Sequence, residues 1–194
     1  MARSTSTDSP RDAVALLKQD HRTVSALFDD FEKADEEEQS AIAHRVCQLL
    51  TVHATIEEEL LYPAAKEAFE DEEDDDLVNE AEVEHGTAKE LIAKIEGMTS
   101  DDEHFKATVK VLGEYIKHHV KEEENELFPQ LKKTELDLKE LGAQLSERKY
   151  ALMEQMGIEE QEEPQPRKRS AAGRANRGAR SKSSSRRSAS RARH

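Results

Sequence analysis

KHHVKEEENELFP, residues 117–129, places two adjacent histidines just ahead of three adjacent glutamates. The stretch reads either as a charged, solvated face of a helix or as half of a metal site. A second stretch decides between them. HATIEEELLYP, residues 53–63, lies on HVKEEENELFP, residues 119–129, without a gap. His53 pairs with His119, Glu57 with Glu123, Glu58 with Glu124, Leu61 with Leu127, Tyr62 with Phe128 and Pro63 with Pro129. Upstream, DHRTVSALF from Asp20 matches EHGTAKELI from Glu84, each an acid, a histidine, a threonine and a leucine in the same places. The separations His21 to His53 and His85 to His119 are 32 and 34 residues. The chain therefore repeats a helical hairpin with pseudo-two-fold symmetry.

The repeat selects residues within the opening stretch. His118 stands opposite Val52 and Glu122 opposite Ile56, so neither has a ligand-type counterpart. His119–Glu123 and His53–Glu57 are both i, i+4 pairs, which put two side chains on one helix face at adjacent turns.

Hydrophobic periodicity and capping signals give five helices. The first is expected from a Ser9 cap to about Lys33, with Val14, Leu17, His21, Val24, Phe28 and Phe31 in phase. The second runs from about Glu38 to Phe69 along Ile42, Val46, Leu49, His53, Leu60 and Ala64. The acidic run DEEDDD, residues 71–76, reads as a loop. The third helix, about Leu77 to Glu96, carries Val78, Ala81, His85, Ala88, Ile92 and Ile95. Asp101 is expected to cap the fourth, along Phe105, Val109, Leu112, Ile116, His119, Glu123 and Leu127, and Thr134 the fifth, over 135–156. Short links make neighbouring helices antiparallel, so the fold class is all-α, an up-down-up-down four-helix bundle with an added C-terminal helix.

Each of the four bundle helices thus carries one histidine on its inward stripe. A buried neutral imidazole needs a partner for each nitrogen, and a metal supplies one to several imidazoles at once. Four imidazoles and two carboxylates suit two cations, with Fe, Zn, Cu or Ni favoured over Ca or Mg. Symmetry assigns His21 and His53 to one ion and His85 and His119 to the other, bridged by Glu57 and Glu123.

An isolated histidine followed by an HxxxE helix ending in (L/I)(Y/F)P, twice over, resembles the hemerythrin-like HHE cation-binding domain. The resemblance spans roughly residues 10–133. It implies a non-haem di-iron centre with two bridging carboxylates and an oxo or hydroxo bridge, with zinc or manganese as alternative metals. It also implies a small ligand such as dioxygen, peroxide or nitric oxide, and a role in stress response or in sensing. Carried over by position, the ligands are His21, His53, Glu57, His85, His119 and Glu123. One departure stands out. Oxygen-carrying hemerythrins have HxxxH on the third helix, whereas Ala81 and Lys89 flank His85 here. That makes reversible oxygen carriage a poorer expectation and leaves a more open site.

Three further residues are expected near the centre. Tyr115 lies one turn before His119, Glu82 lies near the face of His85 as a substitute ligand, and His118 is a surface neighbour or a proton relay. Cys47 reads as a small buried residue. Glu82 and His85 match the ExxH of ferritin-like proteins, but no second ExxH exists, so that fold is excluded.

Composition agrees with a helical protein: 37% charged, 4% aromatic, 7 glycines in 194 residues and one cysteine, which rules out a disulfide framework. No apolar run approaches a membrane span and the N-terminus has no signal-peptide core, so a cytoplasmic protein is expected. From Pro164 onward the chain has 11 Lys and Arg and no acid, although the whole carries −14. This Arg/Ser-rich segment is expected to be disordered. It either tracks nucleic-acid phosphates through Arg167, Lys168, Arg169, Arg186 and Arg187, with nucleoid association, or folds back on the acidic domain. The expected organisation is a flexible 1–9, the metal-binding bundle 10–133, a helix 134–157 and a basic tail 158–194. Two alternatives to a redox or sensing centre stand beside it: an iron-homeostasis protein that signals to a partner, and a DNA-associated protein with a structural metal.

Overall fold

The computed structural model describes residues 12–70 and 72–159. Its elements are α1 (Ala13–Phe31), α2 (Glu36–Ile56), a π-helical turn (Glu57–Leu61), α3 (Tyr62–Ala68), α4 (Glu72–Glu96), α5 (Phe105–Glu122), a second π-helical turn (Glu123–Leu127), α6 (Phe128–Leu131) and α7 (Leu138–Gln155). There is no strand among the described residues, and no helix there is long and apolar enough to cross a membrane.

Aspartates start the helices. Asp12 accepts from the Ala15 N–H at 2.8 Å, Asp35 from Glu38 at 3.0 Å, and Asp137 from both Lys139 and Glu140 at 3.0 Å. Each satisfies amide donors that the first helical turn leaves unpaired. These caps replace the expected ones at several ends. Ser9 lies outside the described residues, Thr134 stands in the turn before α7, and α5 begins at Phe105 without a side-chain cap while Asp102 accepts from Thr99. The acidic run is not a loop: α4 begins at Glu72. At the far end, Gly157 adopts φ of 65°, and the Ile158 N–H returns to the Met153 carbonyl at 2.8 Å. This is a Schellman closure, with Ile158 buried against Met153. Ile158 is therefore held at the end of α7 and does not belong to the basic tail. The tail's arginines and lysine, Arg167, Lys168, Arg169, Arg186 and Arg187, lie outside the described residues, as do residues 1–11.

The π-helical turns begin at the glutamates of the two HxxxE pairs and end two residues before Pro63 and Pro129. Tyr62 N–H donates to the Glu57 carbonyl, and Phe128 N–H to that of Glu123, five residues back in each case. A proline next in line offers no N–H and would crowd the carbonyl four residues before it, which the wider turn relieves. The extra residue advances the helix phase by one. Leu61 and Ala65 are the buried pair, and the expected Leu60 and Ala64 are only half-buried.

The core is split in two. Val14, Leu17, Ile56, Leu61, Tyr62, Val78, Leu127 and Phe128 belong to one apolar cluster; Val24, Val46, Leu50, Ala88, Ile92, Leu112 and Ile116 belong to the other. Along α1 and α4 the chain passes from the first cluster to the second, and along α2 and α5 it returns. In every case a histidine stands at the crossing: His21, His53, His85 or His119. α1 contacts α2, α2 contacts α4, α4 contacts α5, and α5 closes on α1. α7 packs on α1 and α2, adding Leu141 and Leu145 to the first cluster. It is also tied by Arg148 to Glu59, at 2.5 and 2.9 Å, and by Lys149 to Asp20.

Candidate metal centre

Between the two clusters lie six polar side chains: His21, His53, Glu57, His85, His119 and Glu123, all 5% exposed or less. The imidazoles form two pairs, with Nε2 to Nε2 distances of 3.2 Å for His21–His53 and 3.1 Å for His85–His119. Each carboxylate spans the pairs. Glu57 Oε2 lies 3.2 Å from His53 and 3.5 Å from His85, while Glu123 Oε2 lies 3.2 Å from His21 and 3.6 Å from His119. Both oxygens of Glu57 and Oε2 of Glu123 are buried without a hydrogen bond.

The outer nitrogens explain why. His21 Nδ1 lies 3.0 Å from Glu124, His85 Nδ1 3.0 Å from Glu58, and His119 Nδ1 2.7 Å from Glu84. His53 Nδ1 faces Asp20 at 3.6 Å, beyond hydrogen-bond reach but close enough for attraction. A carboxylate on Nδ1 favours a proton there and leaves the Nε2 lone pair pointing inward. Lone pairs then face lone pairs and carboxylate oxygens across 3.1–3.6 Å. Burying such a set costs several kcal/mol unless a cation joins it. The donor set of four imidazoles and two carboxylates fits two transition-metal ions. Within this set, two groups have ligand atoms within 4.8 Å of one another: His21, His53, Glu57 and Glu123, and Glu57, His85 and His119.

The hemerythrin HHE cation-binding domain model matches residues 12–131, which contain all six side chains. The chain belongs to the hemerythrin HHE cation-binding family. A hemerythrin HHE cation-binding domain-containing protein of Mycobacterium kansasii shares the fold. Its TM-score is 0.64 at 23% identity, over 75% of this chain and 89% of that one. A protein of Nostoc sp. named DNA nickase is 26% identical over 114 residues, or 58% of this chain. The chain spans only 31% of that relative's length.

In this hemerythrin-type domain the electrostatics follow from burial and the crowding of like groups. Burial, reinforced by the charge of Glu123, holds the Glu57 carboxyl well above the usual carboxylate range. His53 is pushed down chiefly by burial, and burial with the neighbouring His119 takes His85 down to about 4. His119 is raised: burial opposes its charged form, but Glu123 and Glu84 together outweigh it. Protons here follow the same attraction a metal would.

Of the other expected residues, Tyr115 and Glu82 lie away from the centre, and His118 lies on the surface beside it. Tyr115 is half-buried against the second cluster. Glu82 is exposed and bound by Lys66 at 2.9 Å. His118 is exposed, 3.7 Å from Glu84 and 3.1 Å from Glu122. The tyrosine at the centre is Tyr62, 3.1 Å from Glu123 Oε1, to which it donates, and 3.2 Å from His85 Nε2. Its repeat partner Phe128 stacks on His21 instead, centroids 5.9 Å apart. The supporting acids Asp20, Glu58, Glu84 and Glu124 had a signal in the sequence, since the repeat pairs Asp20 with Glu84 and Glu58 with Glu124. Cys47 is wholly buried in the second cluster; burial, with help from Glu96, pushes its thiol up to about 12. It stays protonated and inert.

Proposed function

We propose that this domain holds two iron ions in an up-down-up-down four-helix frame, and that the centre binds, senses or reduces dioxygen, peroxide or nitric oxide. His21 and His53 hold one ion, His85 and His119 the other, and Glu57 and Glu123 bridge them. The observation that carries the reading is Glu57: wholly buried, unbonded at both oxygens, and within 3.2 and 3.5 Å of a histidine from each pair. Iron at such a site supplies redox change and open positions for a small ligand.

The chain's own residues define that ligand's size. Beside the histidines, Val24, Leu50, Ala54, Ala88, Ile92 and Ile116 line a cavity offering about 20 Å³ to the centre of a water-sized molecule. A cavity this small admits only a ligand of a few atoms. Apolar walls keep bulk water away, and Tyr62 holds Glu123 in place through its hydroxyl.

Anaerobic reconstitution with ferrous iron tests the reading. About two irons per chain are expected, with a near-ultraviolet band on oxidation. A chain that stays metal-free sinks it. A second reading, a metal centre attached to a DNA-associated protein, draws on the basic tail and on the Nostoc relative's name. The match covers too little of that relative to carry its activity over.

A further inference from the structure

Each of the four histidines leans on an outer carboxylate, and three of those carboxylates also meet a lysine. Lys18 lies 3.0 Å from Glu124, Lys89 lies 2.6 and 2.5 Å from Glu58, and Lys149 pairs with Asp20. The fourth carboxylate, Glu84, meets no lysine or arginine among the described residues. Its Oε2 takes His119 Nδ1 at 2.7 Å, and its Oε1 faces His118 Nε2 at 3.7 Å. His118 Nε2 in turn lies 3.1 Å from Glu122 Oε1. Lys117 and Lys121, on the same helix, make no ion pair with the group among the described residues. One corner of the centre therefore lacks the positive charge that the other three have.

That corner also opens inward. Glu80, Glu84, Glu122 and Glu126 line a cavity whose other walls include His119 and Glu123. Glu123 is 2% exposed, and its Oε2 belongs to the inner centre, 3.2 Å from His21. In the first half of the repeat the matching positions are Val52 and Ile56, buried at 1% and 0%, with Val52 packed on Met153 of α7. α7 covers that half, and among the described residues no helix covers His118, which is 57% exposed. A merely solvated face would account for His118 and Glu122 being polar. It would not account for a buried carboxylate left without the lysine found at each other corner.

We infer that Glu84, His118 and Glu122 form a third, outer cation site for a divalent transition metal, through which metal reaches the buried pair. One imidazole nitrogen and two carboxylates, with ligand atoms within 4.8 Å of one another, suit Fe(II), Mn(II) or Zn(II). The route rests on the two-metal reading above; the outer site does not.

The test uses the full chain and its His118→Ala/Glu122→Gln variant, whose changes lie on the exposed side of α5. In equilibrium dialysis against Zn(II), the native chain should hold about one more ion than the variant, about three against two. Ferrous uptake by the metal-free variant should be about tenfold slower than by the native chain, with unchanged final content. Equal content of about two and equal rates overturn the outer site and leave the pair intact. A variant whose final content falls below two overturns it as well, since those residues would then belong to the inner centre. No uptake by either chain overturns the two-metal reading and the route together.

Discussion

The two halves of the repeat bring the same inner histidines and glutamates together on different outsides. In the first half, Tyr62 reaches the centre and α7 seals the outer face over Val52. In the second half, Phe128 only packs, while His118 and Glu122 face solvent. The inner six residues are constrained by what they share, and both halves keep them. The outer positions are free to diverge, and the asymmetry shows where each half meets the rest of the molecule. One side is closed by protein and the other faces solvent.

The strongest way to break the comparison is to remove one inner ligand from each half. His53→Ala and His119→Ala should each lose at least one bound ion per chain by metal analysis, and to a similar degree, while His118→Ala keeps two. Retention in His119→Ala with loss in His118→Ala would put the register off by one residue. Next come the supports. Asp20→Asn and Glu84→Gln should each weaken metal affinity by about 10–100-fold in a competition titration. Asp20→Asn should show the milder loss, because its carboxylate stands 3.6 Å from His53 while Glu84 stands 2.7 Å from His119.

The pH dependence follows from Glu57, whose carboxyl is raised by burial and then by Glu123. A carboxyl raised in this way keeps its proton to higher pH than an ordinary one, and an incoming ion competes with that proton. Metal affinity therefore rises as pH rises through that raised value and falls in acid, and loading releases protons, which an indicator dye in weak buffer would read. For the metal-free fold the sign is opposite. Glu57's contribution is complete below the ordinary carboxylate range and is lost as pH rises through its folded value, so metal rescues stability most on the alkaline side. The smallest effect belongs to Tyr62→Phe. It removes one hydrogen bond to Glu123, about 1 kcal/mol, and should shift the spectrum of the loaded centre without lowering metal content.

Much of this was legible in the sequence because the repeat carries its own control. Comparing the halves picked His119 over His118 and Glu123 over Glu122, and it paired the supporting acids before their partners were visible. What stayed hidden depends on three-dimensional proximity or on departures from the regular helix. The π-helical turns before Pro63 and Pro129 depart from a fixed 3.6-residue period, and along the second helix Ala43, Leu50, Leu61 and Ala65 are buried where Ile42, Leu49, Leu60 and Ala64 were expected. The same turns bring Tyr62 to the centre, whereas counting one turn back from His119 pointed to Tyr115. Lys149 reaches Asp20 from a helix 129 residues away, and no local pattern announces such a contact.

The most direct measurement of the central claim is anomalous X-ray diffraction at the iron edge from crystals of the reconstituted chain. Two inner peaks are expected, one between His21 and His53 and one between His85 and His119, about 3.5–4 Å apart as in two-metal sites generally. A single peak, or iron bound only at His118 and Glu122, would contradict a centre shared by the two halves.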